Sequence, residues 1–162
     1  MHPRRLRALL APTLLAALTG LACRTTERFE HPVRSELVSA EPLPITLARG
    51  LRGWKETASA FGTKTRFRLG DLFVRLFPAH DGRAFLSPVQ ASLETDWSSR
   101  ARAWESSYTF TLTLQLDGTH HEVRAAGKGL SASDPRGAER LAMEDCVTEI
   151  YAQIAALLAA RG

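Results

Sequence analysis

The stretch Tyr108-Thr-Phe-Thr-Leu-Thr-Leu-Gln-Leu116-Asp117-Gly118-Thr119-His-His-Glu-Val-Arg-Ala125 decides the fold. Tyr108, Phe110, Leu112, Leu114 and Leu116 alternate with Thr109, Thr111, Thr113 and Gln115, the period of a strand with one buried face. Asp117-Gly118 supplies what a type I′ turn needs, because both central positions take positive φ. A two-residue turn pairs Leu116 with Thr119, Leu112 with Val123 and Phe110 with Ala125. Paired residues share a face, so Val123 and Ala125 join the core. Gly127 and Gly129 follow, where a bulge or close helix packing is expected.

A long helix closes the chain. Ser133 or Asp134 caps it, and Pro135 occupies the first turn, where a missing N–H costs nothing. Ala138, Ala142, Cys146, Ile150, Ile154 and Leu157 form one stripe, widened by Met143, Val147 and Leu158. Glu139, Arg140, Glu144, Glu149 and Gln153 lie mostly outside it. Such a helix covers a sheet face.

Before the hairpin, Phe85 to Trp97 also alternates. Val89, Ala91, Leu93, Thr95 and Trp97 are expected on one face, and Gln90, Ser92, Glu94 and Asp96 on the other. Ser98 to Ser106 reads as a polar connection carrying Arg100, Arg102 and Trp104. Further upstream, Asp71 is expected to cap a short helix over Leu72–Phe77, stopped by Pro78. Ile45 to Ala48 reads as a short strand, and Thr65 to Leu69 as an extended stretch. Trp54, Phe61 and Phe67 are candidate anchors between them. The elements predict an α+β domain: a small, mostly antiparallel sheet with a short helix and a long C-terminal helix packed on one face.

The N-terminus carries an address. Arg4, Arg5 and Arg7 precede an apolar run from Ala8 to Leu18, and Gly20-Leu21-Ala22-Cys23 follows. The run is shorter than the roughly 20 residues a membrane span needs, and small residues stand three and one before Cys23, the pattern of a cleaved export signal. The segment resembles a lipobox, the processing site of bacterial lipoproteins. That resemblance implies cleavage before Cys23 and diacylation of its sulfur. Gly-Leu-Ala also satisfies an ordinary signal peptidase, which leaves Cys23 free to pair with Cys146 in an oxidising compartment. The expected organisation is a signal peptide at 1–22, a Pro-containing tether at 23–43 and a single domain at 44–162.

Charge excludes one function class. The chain holds 21 Lys and Arg against 17 Asp and Glu, a net of +4. Three of the arginines belong to the signal, so the mature chain keeps about one excess cation. It lacks the concentrated basic patch that a nucleic acid surface needs.

Catalytic and metal motifs are equally thin. His120 and Glu122 can share the polar face of a strand while His121 turns to the other, which makes the triplet a geometrically poor three-ligand site. No Gly-x-Ser-x-Gly elbow occurs, and Gly127-Lys128-Gly129 lacks the rest of a phosphate loop. No cofactor is expected.

The order of strand, short helix, strand, hairpin and long helix behind Cys23 is similar to small envelope lipoproteins of the YajG and LptE kind. The resemblance rests on Leu69-Gly70-Asp71, the Tyr108–Leu116 strand, Asp117-Gly118 and the helix after Asp134-Pro135. It implies a non-catalytic module, lipid-anchored at Cys23 on the periplasmic face of the outer membrane, that binds or assembles an envelope protein complex. Soluble periplasmic residence is the alternative. Trp97, Arg100, Arg102 and Trp104 are the candidate binding residues, since Trp and Arg are enriched where binding energy concentrates. Recognition of an envelope glycan or lipid, or a periplasmic enzyme, are the competing expectations.

Overall fold

The structure is a computed structural model that describes residues 26–30, 37, 39–60, 63–78 and 84–160. In chain order the elements are β1 (Thr26–Glu30), β2 (Thr46–Leu47), α1 (Arg49–Arg52), β3 (Glu56–Ala60), β4 (Thr63–Phe67), α2 (Leu69–Leu76), β5 (Ala84–Ser98), β6 (Ala103–Leu116), β7 (Thr119–Ser131) and α3 (Pro135–Ala159). The fold is α+β. A four-stranded sheet runs β2-β5-β6-β7, antiparallel except for the short β2, which lies parallel to β5. A second sheet runs β1-β4-β3, with β1 parallel and β3 antiparallel to β4.

The central hairpin has the register expected of a two-residue turn. Leu116 faces Thr119, Leu112 faces Val123 and Phe110 faces Ala125. Asp117 and Gly118 take φ of +49° and +80°, the left-handed pair that this turn demands. Every second residue of β6 from Ser106 to Leu116 is buried.

Helix α3 covers the buried face of β6 and β7. Asp134 caps it, its Oδ1 accepting from the Gly137 N–H at 2.8 Å, with Pro135 next. Ala138, Ala142, Cys146, Ile150 and Ile154 are fully buried, as are Met143 and Val147. The close approach depends on two glycines. A Cβ on Gly127 would overlap the Ala142 carbonyl and the Cys146 backbone nitrogen, and one on Gly129 would overlap the Ala138 carbonyl. Small residues on both sides bring helix backbone down onto strand backbone. Glu139 and Glu144, expected outside the stripe, are buried as well. Each sits one turn before a core residue, Met143 and Val147, so a helix this close to the sheet covers its own flanks.

The other half of the core lies beside β5. Phe73 of α2 meets Phe110 edge to face at 5.8 Å, and Trp54 lies 4.9 Å from the same ring. Phe67, Leu69, Leu72, Leu76 and Phe77 complete this part. Helix α2 starts at Leu69, earlier than the Asp71 cap predicts. Its N-cap is Arg68, whose side chain does not cap the helix, and Asp71 falls in the first turn. Gly70 is buried against the Arg52 carbonyl and the Trp54 backbone, and its N–H donates to the Trp54 carbonyl at 2.9 Å. Tertiary contact therefore sets the start of the helix.

Three further expectations are corrected. Strand β5 carries a bulge between Pro88 and Gln90, with Val89 as the extra residue. Ala84 and Leu86 point inward before it, Ala91, Leu93 and Thr95 after it, and Val89 is 61% exposed instead of joining the inward row. Pro88 pairs with Leu112 where its missing N–H faces the outer edge of the sheet, so the β6 ladder loses no donor, and the bulge that follows shifts the phase of the strand. Ser98 to Ser106 is not a loop: β5 runs to Ser98, a tight turn spans 99–102 and β6 begins at Ala103. Within 23–43, the described residues do more than tether: Thr26–Glu30 pairs with β4, Leu37 is buried, and Ala40 and Leu43 pack on the core. Two apolar leucines and the Leu43 N–H, which donates to the Leu76 carbonyl at 2.9 Å, hold its end down.

Candidate functional site

Strands β5 and β6 assemble the candidate site at the turn that joins them. Trp97 and Trp104 are directly paired across β5 and β6, on the face that α3 covers further along. Their rings meet edge to face, with centroids 5.5 Å apart and planes at 70°. Trp104 is half-buried, whereas Trp97 is 50% exposed. Arg100 and Arg102 are exposed in the turn beyond them. Arg102 holds it closed with φ of +49°, and the Ala101 N–H donates to Ser98 Oγ at 3.3 Å. The structure thus brings the four expected residues to one hairpin end. Trp104 stands on a strand, where its ring position is fixed by the pairing. Cys23 lies outside the described residues.

The opposite face of the large sheet is uncovered among the described residues, and it is polar. Two shallow grooves run across it. One, of about 440 Å³, is lined by Glu94, Asp96, Glu105, Ser107, Lys128 and Leu130. The other, of about 430 Å³, lies against Val89, Gln90, Ser92, Thr111, Glu122 and Arg124. In the first, Asp96 stands directly opposite Glu105, two carboxylates on one face. The second is ringed by hydroxyl and amide groups with one acid and one cation.

The chemically interesting groups of the interior are locked. Tyr108 is fully buried, and its hydroxyl donates to Glu56 Oε2 at 3.2 Å. Burial raises its phenol well above the ordinary value, and the Glu56 carboxylate adds to this by opposing a phenolate. The Cys146 thiol is pushed up to about 12, chiefly by burial, and Sγ donates to the Ala125 carbonyl at 3.5 Å. Both groups stay protonated at neutral pH, so neither is a ready nucleophile. His120 and Glu122 pair with Gln115 and Thr113 on the uncovered face, and His121 pairs with Leu114 on the other. No cluster of three His, Cys, Asp or Glu side chains fit for a metal occurs among the described residues. No helix there is long and apolar enough to cross a membrane.

The two edges of the large sheet differ, and composition does not show it. On β7, the Lys128 N–H donates to Asp145 Oδ2 at 3.1 Å, and the Arg124 carbonyl accepts from Gln153 Nε2 at 3.0 Å. Both partners come from α3, so helix side chains occupy groups of that edge. On β5, β2 pairs only with Phe85 and Leu86, and the Ala48 N–H donates to the Leu86 carbonyl. From Gln90 to Ser98 the outer side of β5 meets no strand among the described residues.

No protein-family model matches the chain, and no curated protein matches it significantly.

Proposed function

We propose that this chain is a non-catalytic binding or assembly module of the bacterial cell envelope, lipid-anchored through Cys23 and facing the periplasm. The observation that carries the reading is the Trp97–Trp104 pair. An indole half in solvent, supported by a second indole at 5.5 Å and flanked by exposed Arg100 and Arg102, makes a rigid anchor of the kind that interfaces use. The signal-like N-terminus with Cys23 supports the membrane address, and outer-membrane sorting follows from the lipoprotein resemblance. Cys146 and Tyr108, both buried and protonated, support a role without covalent catalysis.

A second reading has its own observation. The free face of Trp97 suits a sugar ring as well as a protein side chain, so an envelope glycan is the competing ligand. Crosslinking in intact membranes followed by purification separates the two. A stable protein partner whose capture falls on Trp97→Ala supports assembly. Retention on peptidoglycan or lipopolysaccharide, lost in the same variant, supports the glycan. Intact mass of membrane-extracted protein tests the anchor: acyl mass on an N-terminal Cys23 is expected, and an unmodified chain in the soluble periplasm would overturn it.

A further inference from the structure

The ladder of the large sheet determines which backbone groups face its open edge. The Lys128 N–H and the Arg124 carbonyl point away from β6 to their α3 partners, so Lys128–Ser107 and Arg124–Thr111 are non-hydrogen-bonded pairs. Antiparallel strands alternate such pairs, and a residue points both groups the same way. Ser107, Thr109 and Thr111 therefore turn their N–H and carbonyl groups toward β5, where their partners are Glu94, Ser92 and Gln90. Ala91, Leu93, Thr95 and Trp97 are left pointing outward, along the side of β5 that no described strand covers.

No described strand pairs with that edge, which presents backbone donors and acceptors at strand spacing, the template that an added strand reads. Its surroundings select a chemistry. Glu94 and Asp96 sit between the outward-pointing residues with side chains on the uncovered face, and Glu105 stands across from Asp96. Like charges directly opposed on a sheet repel, and a cation on the next strand relieves this. On the other face, Leu93 is half-buried and Trp97 half-exposed, which offers apolar contact to alternate side chains. The bulge and Pro88 block the edge before Gln90, so the available stretch is bounded by Gln90 and Ser98. The far edge is occupied by Asp145 and Gln153.

We infer that the β5 edge from Gln90 to Ser98 accepts an extended segment of a partner protein. That segment carries Lys or Arg on the side facing Glu94 and Asp96, and aliphatic residues on the side facing Leu93 and Trp97. The inference rests on the assembly reading and gives it a partner chemistry.

The test uses the isotope-labelled mature chain and a blocked peptide of about nine residues alternating lysine and valine, long enough to span the edge. The same peptide with glutamate for lysine is the control. Binding is expected to slow hydrogen exchange at the amides of Ala91, Leu93, Thr95 and Trp97 and to leave β7 unchanged. Thr95→Pro removes an outward N–H without breaking the β6 ladder and is expected to abolish this protection. Ala126→Pro, the same change on the helix-guarded edge, is expected to preserve it. The double variant Glu94→Lys with Asp96→Lys is expected to lose the lysine peptide by about tenfold and to gain the glutamate peptide, which a misfolded protein cannot do. Equal binding of both peptides, or protection confined to β7, overturns the inference. Photo-crosslinkers at Ser92 and at Arg100 in intact membranes keep the two levels apart. A partner trapped from Arg100 but not Ser92 overturns the edge inference alone, whereas no partner from either position overturns the assembly reading on which it rests.

Discussion

Asp145 on the long helix accepts a hydrogen bond from the backbone N–H of Lys128 at 3.1 Å, so a helix side chain satisfies a donor that belongs to a sheet edge. The contact exists because the helix lies unusually low on β7. Gly127, one residue before Lys128, has no Cβ to hold the Ala142 and Cys146 backbone away.

Gly127→Ala is therefore expected to destabilise the protein by about 2 kcal/mol, since the added methyl overlaps backbone that cannot rotate away. Gly129→Ala is expected to cost a similar amount. Gly53→Ala, with nothing near its Cβ position, is the control and should stay close to wild type. Urea unfolding at neutral pH measures all three. Wild-type stability in Gly127→Ala would show that the helix can lift without loss.

Asp134→Ala is expected to cost about 1 kcal/mol by leaving the Gly137 N–H without its cap. The Asp134 carboxyl is held below its ordinary value, first by that backbone bond and then by Ser133 and Arg136. A depressed carboxylate stabilises the fold above its unfolded pKa and loses that contribution as pH falls through the folded one. The gap between wild type and Asp134→Ala should be full at pH 7 and close on acidification below the ordinary aspartate range. A gap independent of pH would mean that the cap is not ionic.

Cys146 is expected to resist thiol reagents in the native state and to react at a rate that tracks unfolding. Its folded pKa of about 12 lies above that of an unfolded thiol, so its contribution is complete below the unfolded value and is lost as pH rises toward 12. Stability should fall through that window less steeply in Cys146→Ala. Labelling with a chromogenic disulfide reagent, followed against denaturant, checks the first point. Rapid labelling of folded protein would contradict the burial of the thiol.

Tyr108→Phe keeps the ring packing with Phe110 and removes the hydroxyl that donates to Glu56. A loss of about 1 kcal/mol is expected, the ordinary net worth of a hydrogen bond. Glu56→Gln should lose less, because an amide oxygen still accepts. Thermal unfolding of the two single variants and the double variant measures their coupling, and additivity would show that the bond does not join β3 to β6.

Val89→Lys separates pattern from structure most directly. Alternation alone places Val89 in the inward row, where a lysine would cost several kcal/mol. The bulge places it in solvent at 61% exposure, where the change should fall within about 0.5 kcal/mol.

The hairpin was legible in the chain because Asp117-Gly118 fixes a turn and a turn fixes every pairing after it. The helix was legible because its cap and its stripe are both local. The phase change at Pro88 was not, since a bulge conserves composition and only shifts which residues face inward. Nor was the start of α2, which Trp54 and Arg52 impose from a distant segment. Among the candidate site residues, Trp97 and Trp104 could be chosen by type, but their mutual contact depends on a turn that begins only after Ser98. The unequal edges had no sequence signal at all, because they depend on where α3 lies over β7.

Gly127, Gly129, Ala138 and Ala142 meet where two backbones nearly touch, and that seam is made of atoms that are missing. Ordinary cores drift during divergence because one apolar side chain can replace another. A seam of bare backbone has no such substitutes, since each of its positions admits only the smallest residues. Distant relatives should then preserve the spacing Gly-x-Gly, a nearby Asp-Pro and alanines four apart, even after every leucine and phenylalanine has changed.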